Sequence, residues 1–194
     1  MSKYIEFEFC ELPSTPYGFD KEKFLAGDKA QIKLYKDNKT PNRKALITHD
    51  DAEEKGLNYA RVVPKGCMFI DFDDPEEAEK MREIIINAKL RCLILKTMHG
   101  YHFLFRIPTF YEKQMTGATN WFGYKFDTKG TTDTADAVQI LRACGMDRVE
   151  VASWEPDYPI KPEAINIEAL DVLPYWLWGH LKDKDLYKGG KTRR

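Results

Sequence analysis

The stretch C-M-F-I-D-F-D-D-P-E-E, from Cys67 to Glu77, constrains the fold more than any other part of the chain. A short apolar run closed by acids predicts a buried strand over 67–73. Asp74 followed by Pro75 is an N-cap and a first-turn proline, and Glu76 and Glu77 then stand where the helix dipole favours negative charge. Ala78, Met81, Ile84, Ile85 and Ala88 recur at helical spacing, so 75–89 reads as an amphipathic helix. A buried strand that runs directly into a helix with one apolar face needs other strands beside it and a layered core.

The flanking sequence supplies those strands. Ile5, Phe7 and Phe9 alternate with Glu6 and Glu8, a period of two that fits a half-buried strand. Leu12 to Gly18 carries Pro13 and Pro16 and reads as a loop. Lys29 to Lys44 is rich in Lys and Asn, with a turn-like T-P-N-R around Pro41, and Thr48 to Gly56 reads as a short helix. Arg91–Met98 and Tyr101–Ile107 flank His99-Gly100 as a hairpin, and Tyr124–Thr128 is another short strand. Val138–Ala143 and Arg148–Ser153 flank C-G-M-D as a second hairpin signal. The apolar cluster Leu173, Tyr175, Trp176, Leu177 and Trp178 is expected to pack back onto the sheet, while 181–194 reads as a basic tail or the stub of a linker. More strands than helices, with two hairpins, predicts an α+β fold with a mostly antiparallel sheet.

Composition limits the partners. The chain has 30 Lys and Arg against 31 Asp and Glu, a formal charge of −1, so it is no polycation. Nucleic-acid binding therefore requires local basic groups, or metal ions that offset the acids. Cys10, Cys67, Cys92 and Cys144 form no C-x-x-C pair, and three of them fall in apolar runs, which favours buried thiols over zinc or disulfides. The N-terminus lacks the uninterrupted apolar segment of a signal peptide, and no apolar run is long enough to span a membrane, so a cytoplasmic location is expected.

The acids at the end of the 67–73 strand carry the chemistry. Asp71 and Asp73 are two apart and therefore share a face, with Phe72 directed into the core. Two such carboxylates about 4 Å apart repel by roughly 1–4 kcal/mol, which a hard divalent cation such as Mg²⁺ or Mn²⁺ would relieve. A helix cap accounts for Asp74 but not for a pair on one face. His102 falls on the face opposite Tyr101, Phe103 and Phe105, and the intervening helix allows its strand to lie beside Asp71. In that position it is either a satisfied core histidine or a hydrogen-bond donor to phosphate oxygens. Gly100 would allow close approach of a phosphate, whereas His99 reads as an exposed turn residue. Asp127 and Lys129 share one face of their strand, as a third carboxylate with a nearby cation or as an exposed ion pair. Lys36, Lys39, Arg43 and Lys44 form a basic stretch that is either a template contact or a solvated loop.

This string of pieces resembles the archaeo-eukaryotic primase superfamily, in particular the primase-polymerase domain of phage and plasmid replication proteins. The three motifs are F-I-D-F-D at 69–73, H-G-Y-H-F at 99–103 and K-F-D-T-K-G at 125–130. N-K-T-P-N-R at 38–43 is similar to an element preceding the first motif, and L-P-Y-W-L-W at 173–178 to the segment that closes the domain. The second motif has Gly100 where the family often has Ser, and no Walker A motif is present. The resemblance implies a catalytic domain over 1–180, with a smaller N-terminal α/β part (1–65) joined to an RRM-like catalytic part (66–180). It implies that Asp71, Asp73 and Asp127 hold two Mg²⁺ or Mn²⁺ ions, and that His102, Lys129 and Gly100 serve the nucleotide. The implied partners are single-stranded DNA, nucleoside triphosphates and a helicase, fused C-terminally or acting in trans. The implied activity is primer synthesis or extension in phage or plasmid replication.

Two other readings remain open. A non-catalytic RRM-like module would use its aromatics as stacking platforms, although bare carboxylates repel phosphates. A metal-dependent nuclease also fits a carboxylate pair. A rolling-circle initiator is a poor match, because His99 and His102 are three apart rather than two.

Overall fold

In the computed structural model, which describes residues 7–107, 115–119, 123–131, 137–161 and 166–178, the named strands pair antiparallel throughout and form two sheets. In chain order the elements are β1 (Phe9–Glu11), α1 (Lys21–Leu25), α2 (Lys29–Asp37), β2 (Asn42–Ile47), α3 (His49–Glu54) and β3 (Tyr59–Val62). Next come β4 (Cys67–Phe72), α4 (Pro75–Asn87), β5 (Leu93–Lys96), β6 (Tyr101–Arg106), β7 (Met115–Thr119) and β8 (Lys125–Gly130). The chain continues through β9 (Val138–Ala143), β10 (Met146–Asp147), β11 (Glu150–Ala152), β12 (Glu155–Pro159) and α5 (Tyr175–Trp178). The expected tail at 181–194 lies outside the described residues, as does the start of the strand expected over 5–9.

The chain divides into two units. The first unit is discontinuous: it comprises Glu6–Val63 and takes back Val138–Arg148. Its sheet has the order β10-β9-β3-β1-β2. Beneath it Cys10, Leu12, Phe24, Tyr35 and Ala60 form a core with Ala143 and Cys144. Polar contacts tie the returning segment in place. Arg142 donates to Glu53 at 3.0 Å, Gly145 N–H to Asn58 at 2.9 Å, and Arg148 to the Tyr35 hydroxyl at 3.1 Å.

Two sequence expectations are corrected here. The Lys-rich stretch from Lys29 is not irregular but begins with helix α2. Asp28 caps it by accepting from Ala30 and Gln31 at 2.9 and 3.0 Å, and Ile32 and Tyr35 anchor its apolar side. The second hairpin is β9–β10, shorter than expected. Cys144 (φ 50°) and Gly145 (φ 69°) form a two-residue turn with both φ values positive, the geometry that suits strand twist. The chain then leaves this sheet, and β11 joins the other one.

The second unit carries the sheet β12-β11-β5-β6-β4-β8-β7. Its nucleus is a split β-α-β unit: β4 and β5 run parallel, with β6 between them and α4 as the crossover. Met68, Ile70 and Phe72 of β4 meet Ala78, Met81 and Ile85 of α4, with Phe103, Phe105 and Phe126 from the neighbouring strands. Leu173 and Leu177 from the C-terminal cluster join this core, as the sequence suggested. All four cysteines are buried free thiols. Among the described residues, no helix is long and apolar enough to cross a membrane.

Asp74 caps α4, its Oδ1 accepting from Glu76 at 3.0 Å and Glu77 at 2.9 Å. Asp74→Ala removes both bonds and is expected to lower stability by about 1 kcal/mol. Urea unfolding monitored by circular dichroism measures this, and an unchanged midpoint would mean that the cap contributes nothing.

Candidate active site

The face of the second sheet opposite α4 carries the polar residues singled out in the sequence. Asp71 lies in the centre of the sheet, with its backbone directly opposite His102 on β6 and Asp127 on β8. Directly opposed residues share a face, with Cα atoms about 4.5–5.5 Å apart. Three residues from separated segments thus form one row, Asp127–Asp71–His102. One position along, Lys129 lies opposite Phe69 and projects on the same face. Alternation along β4 dictates the arrangement: Phe72, Ile70 and Met68 go to the helix-covered core, which leaves Asp71 and Phe69 for the other side.

Asp71 is a buried carboxylate with both oxygens engaged. His102 Nε2 lies 3.1 Å from Oδ1, and Lys129 Nζ lies 2.5 Å from Oδ2. Burial pushes the Asp71 carboxyl up. The hydrogen bonds and charges of His102 and Lys129 outweigh that push and hold it well below the usual carboxylate range. The Phe69 ring organises both partners. It stacks on the His102 imidazole (centroids 4.5 Å apart, planes at 21°), and the Lys129 ammonium lies 5.7 Å from its centroid. His102 must carry its proton on Nε2 to face an ionised oxygen.

The remaining candidates are placed less uniformly. Asp73 lies one residue beyond the end of β4. Strand β4 ends at Phe72 because Asp74 begins the helix cap, and Asp73 is left exposed between the two elements. Asp127 is half-buried, and its Oδ1 accepts from Gly117 N–H at 2.6 Å, which supports an irregular step in the β7–β8 ladder. Gly100 is buried, and a Cβ built there would lie 1.9 Å from the Phe72 carbonyl oxygen, so strand packing by itself requires glycine at this position. His99 is an exposed turn residue, as expected.

The basic candidates belong to the first unit. Lys36 is exposed on α2 and Arg43 on β2, while the Lys39 ammonium sits 5.7 Å from the Tyr35 ring centroid. The Lys44 side chain lies outside what the structure describes. Sequence reading overlooked Lys29 and Lys33, both exposed, which align with Lys36 at i, i+4 and i+7 along α2. It also overlooked Glu150, buried on β11 opposite Leu95, which is itself opposite His102. Glu150 thus extends the Asp127–Asp71–His102 row. The available signal was a lone acid at an inward position of R-V-E-V-A-S.

Carboxylate oxygens are the right ligand type for Mg²⁺ or Mn²⁺, and the opposed pair Asp71 and Asp127 places two of them on one face. The Lys129 ammonium brings positive charge against Asp71. As the side chains stand, no three His, Cys, Asp or Glu residues among those described converge closely enough to hold a metal ion. The donor type suits a hard cation, and the positive charge paired with Asp71 in the structure is the Lys129 ammonium. No family model, no curated protein and no solved structure matches this chain.

Proposed function

We propose that the protein is a template-directed nucleotidyltransferase, a DNA primase-polymerase of the archaeo-eukaryotic primase kind, acting on single-stranded DNA and nucleoside triphosphates. The observation that carries this reading is the row Asp127–Asp71–His102 with Lys129 beside it, on the sheet face away from the helix. The fold supports it at a coarser level. Taken in chain order, β4, β5, β6 and β8 make a 4-1-3-2 antiparallel arrangement around one crossover helix, the strand order of an RRM-like sheet.

In this reading Asp71 and Asp127, joined by the exposed Asp73, hold two divalent ions. Bound there, the ions supply activation of the primer 3′-hydroxyl and charge compensation for the departing pyrophosphate. The protein's own contribution is positioning and electrostatics. His102, fixed between Phe69 and Asp71, orients the carboxylate. Lys129 supplies a cation on the same face for phosphate oxygens. The new bond joins the 3′-oxygen to the α-phosphorus, and the bond from that phosphorus to pyrophosphate breaks.

The deciding experiment incubates the full chain with labelled single-stranded DNA, a primer, nucleoside triphosphates and Mg²⁺ or Mn²⁺. Template-dependent extension that disappears in Asp71→Ala/Asp73→Ala is the expected result. Shortening of the strand instead would favour a nuclease, and binding with neither reaction a non-catalytic module.

Template contact is expected to involve the exposed Lys36 and Arg43 of the first unit. If Lys36 and Arg43 each neutralise one phosphate, Lys36→Ala/Arg43→Ala reduces the slope of log K against log salt by about 1.4 on single strands. Fluorescence anisotropy across a salt series measures it. An unchanged slope would make both residues ordinary solvated surface.

A further inference from the structure

We propose that Lys129 is a built-in competitor for the cation position on Asp71, so that a divalent ion binds by exchanging with the Lys129 ammonium. This rests on the reading of Asp71 as a cation ligand. The argument starts from an asymmetry in the ion pair. The Asp71 side chain is 8% exposed and His102 10%, whereas Lys129 is 41% exposed. Asp71 sits on a central strand between two ladders, and His102 is clamped against Phe69 at 4.5 Å. Of these three side chains Lys129 is the most exposed, and it is carried on a flexible four-carbon stem. The carboxylate stays and the ammonium can leave.

The consequence is thermodynamic coupling. A cation arriving at Asp71 must first displace an ammonium 2.5 Å from Oδ2, which weakens its binding when no other ligand is present. Once displaced, the ammonium remains on the same sheet face, one row from Asp71 and Asp127, where a metal-bound triphosphate presents anionic oxygens. Lys129 then exchanges a carboxylate partner for a phosphate partner. Metal and triphosphate should therefore bind cooperatively, each aiding the other by the same factor. Without Lys129 the metal alone binds more tightly and the cooperativity is lost.

The test is direct Mn²⁺ binding to the full chain, followed by electron paramagnetic resonance of free Mn²⁺, with and without a non-hydrolysable nucleoside triphosphate. The proteins are wild type, Lys129→Met, Lys129→Arg and Asp71→Asn, each checked for folding by circular dichroism. Methionine keeps an apolar stem near Phe69 and removes the charge. Lys129→Met is expected to bind Mn²⁺ alone about tenfold more tightly than wild type, within the usual range of coupling, and to gain little from the triphosphate. Lys129→Arg, which keeps the charge, should retain the wild-type pattern. If wild type binds Mn²⁺ through Asp71 but Lys129→Met binds no more tightly, the exchange is wrong while the polymerase reading stands. If Asp71→Asn binds Mn²⁺ as wild type does, or if none of the proteins binds it, Asp71 is no cation ligand and both ideas fail.

Discussion

Gly100→Ala is expected to destabilise the protein by about 3 kcal/mol or more, the upper end of what overpacking costs. The added methyl would lie 1.9 Å from the Phe72 carbonyl oxygen, 3.0 Å from its carbon and 3.1 Å from the Ala78 Cβ. Two of these three atoms are backbone and cannot turn aside like the end of a long side chain. The strands cannot separate either, because Phe72 pairs with Tyr101 in the β4–β6 ladder and Gly100 is the residue just before it. The hairpin turn is itself closed, with Thr97 N–H donating to the Gly100 carbonyl at 2.9 Å and Gly100 N–H to the Thr97 hydroxyl at 3.0 Å. Gly66→Ala is the useful contrast. Its φ is +82° but nothing lies within 4 Å of a built Cβ, so only backbone strain of about 1 kcal/mol is expected. Urea midpoints of the two variants separate steric from conformational cost. If Gly100→Ala melts like Gly66→Ala, the turn does not pack on β4 as described.

The same turn shows which parts of the molecule were legible in advance. A glycine after His99 was visible, but what it must clear is a carbonyl 28 residues earlier, and spacing along a chain does not reveal a neighbour across a sheet. The stretch from β4 to α4 was legible because all its signals are local: apolar run, cap, first-turn proline, acids and helical period agree. Period-two reasoning then overreached by one residue. It assumed that the strand continues through Asp73, whereas the Asp74 cap ends it at Phe72. Helix α2 was hidden by its lysines, although the Asp28 cap and the Ile32–Tyr35 spacing were there to be read. The return of Val138–Arg148 to the first sheet is a long-range choice that no local turn signal carries. The alignment of Asp71 with both His102 and Asp127 is of the same kind. The residue types were evident in the sequence, but their opposition in one row depends on the register of two separate ladders.

Asp71→Asn is expected to abolish nucleotide incorporation, by a thousandfold or more, equivalent to about 4 kcal/mol of transition-state stabilisation. Asparagine keeps the shape and one carbonyl oxygen but removes the charge on which His102, Lys129 and any bound cation converge. A structural role alone would lower stability without such a selective loss in folded protein, so incorporation must be compared at equal folded fraction. The substitution has a second signature, in pH. The native Asp71 carboxyl lies well below its ordinary value of 3.8, so the unfolded chain binds that proton more readily than the native one. Its contribution is therefore fully present near neutral pH. It is lost as pH falls from about 5 through the ordinary value and on towards the lower native one. Wild type should be more stable than Asp71→Asn at pH 7, and the gap should narrow as the solution is acidified to pH 3. Urea midpoints at a series of pH values measure the gap. A gap that stays constant or widens on acidification would mean that His102 and Lys129 do not hold Asp71 in its ionised form. Full incorporation by folded Asp71→Asn would remove this carboxylate, and the row built around it, from the chemistry.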